Sequence, residues 1–396
     1  MDKKLWRLLT IDQVKDLVHH FVDAPDTIRR RKVFHGWEKE KKKNQAKQTK
    51  ELEKQLKEEE ERRRKTSTIL LIGPGQSGKS TVFKQLTILH GKGFSESKKR
   101  QFRKQIYANI VGAMRNLIYH ANKAARKEDE SLVEIDNKKY VQVISESPYK
   151  DIDMTPQLKT AIKALWRDKA IRNIYRRRQR FKTSQLDDSA VYMLQNIERI
   201  LPAGESQSYL PSKDDIVHCR QRTLGIVEGE FKIKQQYFKI VDVAGQRGAR
   251  SKWIPLFECA NACLFVCSLA GYNRYLLEDK DRLRIHEAIQ LFDDIVNQRA
   301  LSRVPIIVFL NKADLFEREI KTVSLQHAFP EYSGPPEDFE ESVNFVKHRF
   351  HKCVQDPNRQ IYMHTTCATD TKQVAKILDS VTNIVVKQQL AAANLI

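Results

Sequence analysis

Eight contiguous residues, Gly73-Pro74-Gly75-Gln76-Ser77-Gly78-Lys79-Ser80, carry the strongest chemical signal in the chain. They follow the spacing G-x-x-x-x-G-K-[ST], in which glycines let the backbone wrap tightly and consecutive N–H groups point at anionic oxygens. Lys79 would reach the β- and γ-phosphates of a nucleotide, and Ser80 would offer a hydroxyl to Mg²⁺. Pro74 has no N–H, but it precedes the amides expected to cradle phosphate, so little is lost there. Asn311-Lys312-Ala313-Asp314 follows the apolar run Val304–Leu310. A carboxylate at Asp314 accepting from two guanine nitrogens selects guanine, because adenine presents an acceptor there and leaves it unpaired. This argues against an ATPase. The backbone of Thr366-Cys367-Ala368-Thr369, at the end of a further apolar run, suits the guanine carbonyl oxygen.

Three more groups fall between these motifs. In Asp242-Val243-Ala244-Gly245-Gln246, Asp242 is placed to hold Mg²⁺ through water, the Gly245 amide to bind a γ-phosphate, and Gln246 to orient an attacking water. Thr223 offers a second hydroxyl to Mg²⁺. Arg220 could stabilise the transition-state charge as an arginine finger supplied in cis. On residue type alone, an arginine in so basic a chain is more often a surface residue.

These residues need a sheet to converge. Ile69–Ile72 reads as a buried strand entering the phosphate loop, and a helix leaves it from Ser80 to about Leu89. Further strands are expected at Tyr237–Val243, Ala262–Leu269, Val304–Leu310 and Ile361–Thr365. Helices are expected at 281–298, 336–353 and 372–390, giving an α/β fold with a mostly parallel sheet. Residues 92–212 show helical periodicity (Phe102, Ile106, Ile110, Met114, Leu117; Leu158, Ile162, Leu165, Trp166) and read as an all-helical insert. The expected organisation is an N-terminal extension and charged helix over 1–65, a first part of the nucleotide domain over 66–91, the insert, and a second part over 213–396.

The chain has 396 residues, 71 basic and 50 acidic, for a net charge of +21. With 40% hydrophobic residues it has enough apolar material for a core. No apolar run approaches the roughly 18 residues of a membrane span. A basic, interrupted start argues against a secretory signal. Six cysteines without a Cys-x-x-Cys pair read as reduced, buried thiols. Residues 1–28, with apolar positions from Leu5 to Phe21 at helical spacing, read as a short amphipathic helix or two. Residues 29–65 hold 16 basic and 8 acidic residues in sign-alternating blocks and read as a long solvated helix. The basic run at 167–182 reads as a solvated helix face. The charge invites nucleic acid, an anionic membrane or an acidic protein; the basic residues show no aromatic interleaving on strands, which argues against nucleic acid.

The motifs at Gly73–Ser80, Arg220–Glu228, Asp242–Trp253, Asn311–Asp314 and Thr366–Lys372 together resemble the α subunits of heterotrimeric G proteins, from about Trp37 to Ile396. The resemblance implies a Ras-like P-loop GTPase domain with an inserted helical domain, active with GTP and inactive with GDP. Catalysis would fall to Arg220 and Gln246. Nucleotide contacts would come from Gly75, Gln76, Ser77, Gly78, Lys79, Ser80, Thr81, Asp188, Ser189, Val217, His218, Cys219, Arg220, Thr223, Asp242, Gly245, Gln246, Asn311, Lys312, Asp314, Cys367 and Ala368, with Mg²⁺ at Ser80, Thr223 and Asp242. Leu186–Ala190 matches the stretch that closes over the nucleotide, and Arg250 with Glu287 a pair that tightens the second switch. Implied partners are a βγ dimer on the helix at 29–65, a receptor at Ala393–Ile396, effectors and regulators. The implied location is the cytoplasm and the cytoplasmic face of the plasma membrane.

Several positions depart from the family pattern. Gln76 replaces a usual Glu, which implies a weaker latch on the finger arginine and faster GDP release. His218 replaces an Arg near the ribose, Ala244 a Gly, and Ala249 an acidic residue. Asp2 stands where N-myristoylation needs glycine, and no cysteine precedes Cys219, so the usual N-terminal acylation is not expected. Membrane contact would then rest on charge, on the 5–21 face or on partners.

Overall fold

The computed structural model of the chain describes residues 27–64, 66–125, 136–177, 186, 188–202, 209–234, 236–276 and 278–392. The expectations for 5–21, Asp2, Asp187, 178–182 and 393–396 lie outside them. Helix α1 (Thr27–Arg64) forms one body, and the chain from Thr66 onward forms another.

Over its described side chains, α1 is exposed all round. Glu, Lys, Gln and Arg are good helix formers, and pairs such as Lys54–Glu58, 3.9 Å apart one turn on, add a few tenths of a kcal/mol. Its two leucines, Leu52 and Leu56, are more than half exposed.

The second body is built on six strands: β1 (Thr66–Ile72), β2 (Ile226–Ile233), β3 (Gln236–Val243), β4 (Ala262–Ser268), β5 (Ile306–Asn311) and β6 (Ile361–Thr366). Their order is β2-β3-β1-β4-β5-β6, parallel throughout except for the antiparallel β2–β3 pair. The central strands read as unbroken apolar runs because both faces are covered, yet their residues alternate between two cores. Leu70, Ile72, Val241, Phe265 and Val308 face one side. There they meet α10 (Ile254–Phe257), α11 (Arg284–Val296), α12 (Ala313–Ile320) and α13 (Phe339–His351). Ile69, Leu71, Ile240, Leu264 and Phe309 face the other side, against α2 (Lys79–Leu89) and α14 (Thr371–Ala392).

Between β1 and β2 run α3 (Glu96–Ala125), α4 (Lys138–Glu146), α5 (Pro156–Arg167), α6 (Lys169–Arg176), α7 (Asp188–Gln195), α8 (Ile197–Ile200) and α9 (Lys213–His218). Phe102, Ile106, Ile110, Met114 and Leu117 form a buried stripe on α3, the spine of a separate helical core. That core also takes Ile216 and Cys219 from α9 and its end. Helix α9 starts with a reciprocal cap between Ser212 and Asp215. The fully buried Asp215 carboxylate also accepts from Tyr192 of α7 at 2.9 Å and from Arg199 of α8 at 2.6 Å. One carboxylate thereby fixes three helices at the edge of the cleft.

Two expectations are corrected. β2 was not anticipated: five of its eight side chains are exposed, so it shows no apolar run, and the strand is defined by its register with β3. Of the six thiols, which are all free, only Cys219, Cys263 and Cys267 are buried, whereas Cys259 is exposed. On the basic face at 167–177, Arg167, Lys169, Arg172 and Arg176 are exposed, with Arg172 lying over the Trp166 ring at 4.5 Å.

Candidate functional site

The order of pairing reverses at β1, which has β3 on one side and β4 on the other. Ligands of open α/β sheets sit beyond the carboxyl ends of strands at such a point. A cavity of about 720 Å³ lies there, walled by loops of the sheet and by helices of the insert. It brings together Gly75 to Thr81, Asp188, Ser189, Val217 to Arg220, Thr223, Gly245, Gln246, Asn311, Lys312, Asp314, Cys367 and Ala368. Of the site residues singled out from sequence, Asp242 alone is outside the lining; it lies beneath, bonded to Ser80 and Thr223.

The phosphate loop is bound into its surroundings through Asn311, which is 1% exposed. Its Nδ2 donates to the Ser77 carbonyl at 2.8 Å, and its Oδ1 accepts from the Ala368 amide at 2.9 Å and from the Thr366 hydroxyl at 3.3 Å. One side chain thus ties the loop after β1 to the loop after β6. Close approach also explains Gly78: its φ is +110°, and an added Cβ would fall 2.1 Å from Asn311 Nδ2. At Gly245 a Cβ would meet Lys79 Nζ at 2.4 Å and the Gly73 carbonyl oxygen at 2.5 Å. Ala244 is accommodated beside it, its carbonyl accepting from Trp253 Nε1 at 3.1 Å.

Lys79 donates to the Gly73 and Pro74 carbonyls, each at 2.9 Å. Burial pulls its pKa down to about 8, against the opposing pull of Asp242. Ser80 Oγ donates to Asp242 Oδ2 at 2.7 Å and lies 2.8 Å from Thr223 Oγ1, which itself lies 3.3 Å from Oδ2. Asp242 is 2% exposed, its Oδ1 has no hydrogen-bond partner, and burial raises its pKa. A buried carboxylate with an unmatched oxygen beside two hydroxyls is the oxygen donor set of a hard divalent cation, so these residues fit Mg²⁺. Among the described residues no group of three or more His, Cys, Asp or Glu is placed to hold a metal ion, and the donors here would be Asp242 and the two hydroxyls.

At the other end, Asp314 is half-exposed and accepts from Cys367 Sγ at 3.3 Å. His218 stacks flat on Tyr192, with centroids 3.8 Å apart and planes at 6°, and burial lowers its pKa. Gln246 Oε1 accepts from Arg222 at 2.9 Å. Glu287, 5% exposed, pairs with Arg250 at 2.7 Å.

Several residues of the site carry no motif. Arg274, just past the 3-10 turn Leu269–Asn273, donates to Asp188 of α7 and to Glu319 of α12, each at 2.5 Å. Lys312 reaches Asp188 and the Gln76 carbonyl, both at 2.7 Å. Burial opposes ionisation of Asp188, but Arg274 and Lys312 overcome it and hold the carboxyl well below the usual range. Arg247 and Arg282 join Arg250 on Glu287, at 2.6 and 3.2 Å. Arg274 and Lys312 lie 86 and 124 residues from Asp188, and Arg247 lies 40 from Glu287, separations that no spacing rule links.

The strand order, the loop after β1 and the cavity define a P-loop α/β nucleotide-binding protein with a helical insert. A sequence profile of the G-protein alpha subunit matches residues 46–385. The guanine nucleotide-binding protein alpha-1 subunit of Caenorhabditis briggsae is 36% identical over 357 residues, 89% of this chain and 97% of that protein. The chain belongs to the family of heterotrimeric G-protein α subunits, whose members are GTPases.

Proposed function

We propose that this chain binds GTP with Mg²⁺, hydrolyses it to GDP and phosphate, and so acts as a timed switch between a receptor and effectors. The observation that carries this reading is the convergence of Ser80, Thr223 and the unmatched Asp242 oxygen beside the buried Lys79. Mg²⁺ bound there would neutralise charge on the β- and γ-phosphate oxygens. Lys79, with a pKa of about 8, is mostly charged at neutral pH and meets the same oxygens. The loop amides and the start of α2 face the phosphates. Asp314 selects guanine. Arg220 brings positive charge to the phosphoryl group as negative charge shifts to the leaving oxygen. Gln246 orients water once its Oε1 exchanges the exposed Arg222 guanidinium for that water. The insert closes the cleft and keeps bulk water out.

By family membership, the partners proposed are a βγ dimer for α1, a receptor for the C-terminal end, and effectors beside the second switch. The location proposed is the cytoplasm and the inner face of the plasma membrane, held by charge.

Single-turnover hydrolysis of GTP by the purified chain tests the reading. Arg220→Ala and Gln246→Leu are each expected to slow hydrolysis by about 100-fold or more while GTP still binds. Wild-type rates in both variants would overturn the assignment. ATP should fail to compete with GTP for the site.

A further inference from the structure

The segment that carries Arg220 is held at its backbone from two sides. From α2, the Lys84 ammonium, only 7% exposed, donates to the carbonyls of Ile216, at 3.0 Å, and of Cys219. These are carbonyls at the end of α9, where a cation is favoured. From the insert, Asn109 on α3 turns its Oδ1 to the Arg220 amide N–H at 2.9 Å, and the Cys219 thiol approaches the same oxygen at 3.8 Å. Asn109 sits three residues after Ile106 and one before Ile110, both fully buried in the helical core. The acceptor is therefore anchored to that core rather than carried on a loop.

We propose that Asn109 is a positioning residue for Arg220, through which the helical insert takes part in GTP hydrolysis as well as in enclosing the nucleotide. The proposal rests on the reading of Arg220 as the charge-stabilising arginine. The Arg220 side chain extends from its Cα through several rotatable bonds, so a small displacement at the root becomes a large one at the guanidinium. Lys84 fixes the carbonyls just before that root, and Asn109 fixes the root's own N–H. Loss of the Asn109 acceptor frees the N–H to rotate and takes the guanidinium off the position where charge develops. Nucleotide contacts made by the phosphate loop and by Asp314 are untouched. The expected signature is slower hydrolysis with unchanged binding, which a contact that merely held the cleft shut would not produce.

The test uses the full chain. Asn109→Ala is expected to lower the single-turnover hydrolysis rate about 10- to 100-fold, with affinity for a non-hydrolysable GTP analogue and the rate of GDP release within about two-fold of wild type. Asn109→Asp keeps the acceptor and is expected to restore most of the rate. Adding Asn109→Ala to Arg220→Ala is expected to cost nothing further, because the two act as one unit. If Arg220→Ala is slow but Asn109→Ala hydrolyses at the wild-type rate, or if the two losses multiply, the proposal fails and the Arg220 assignment stands. A wild-type rate in Arg220→Ala overturns both. Faster GDP release with normal hydrolysis in Asn109→Ala would make the contact a cleft clasp and refute the proposal.

Discussion

Glu287 shows what one buried carboxylate does when three guanidiniums converge on it. Burial pushes its pKa up, but hydrogen bonds from Arg247 and Arg250 outweigh this and bring it down to about 2, against 4.5 when free. A depressed carboxylate pKa contributes stability that is full above the unfolded value and is lost as pH falls toward the folded one. Between pH 5 and pH 3 the folded protein should therefore lose about 2 kcal/mol through this group. Urea midpoints at the two pH values are expected to differ less in Glu287→Gln than in wild type; an equal difference would remove Glu287 from the account. The Arg250–Glu287 pair followed from the resemblance, while Arg247 and Arg282 did not. The same divide runs through the whole site. Gly73–Ser80 and Asn311–Asp314 were legible because their geometry is local: a tight loop needs its glycines in a fixed order. Asn109 and Arg220 are 111 positions apart, and only the packing of α3 against the end of α9 brings them together.

Among the elements, the parallel strands were legible because strands buried on both faces must be apolar throughout. β2 was not, because an edge strand can pair through its backbone while showing polar side chains outward. Helix α7 falls within the stretch read as an all-helical insert, and its start within the one the resemblance marks as closing over the nucleotide, but its link to the sheet was unforeseen. Asp188 at its first turn meets Lys312, past the end of β5, and Arg274, past β4, and Arg274 is in turn held by Glu319 of α12. Two cations and two anions thus join the insert to the sheet side of the cavity. Arg274→Ala leaves Glu319 with the Asn273 amide at 3.1 Å and removes one of the two cations on Asp188. Release of a fluorescent GDP analogue is expected to speed up about ten-fold, a small part of the cost of breaking a buried ion pair. An unchanged release rate would show that the rim does not limit exit.

At the scale of the whole molecule, the net positive charge is distributed unevenly. Residues 29–65 alone carry an excess of eight basic residues, in a helix whose described side chains are all exposed. An exposed cationic helix is drawn to anionic lipid, and that attraction fades over the screening length of salt. Co-sedimentation with vesicles rich in anionic lipid is expected to fall steeply between low and physiological salt. Deleting residues 1–65 should abolish most of it, and a deletion variant that binds equally well would place the attraction elsewhere.

The cluster of Arg274, Lys312, Asp188 and Glu319 is different in kind: its charges sum to zero, and all four side chains are at least three-quarters shielded from solvent. Mobile ions have little net charge to screen there and little access to it. The proposed surface attraction and the proposed clasp would therefore respond to salt differently. On the proposed reading, time at an anionic surface would fall as ionic strength rises, whereas a neutral clasp would hold the nucleotide with little response to salt. A shift in the ionic environment would move the protein without resetting its state.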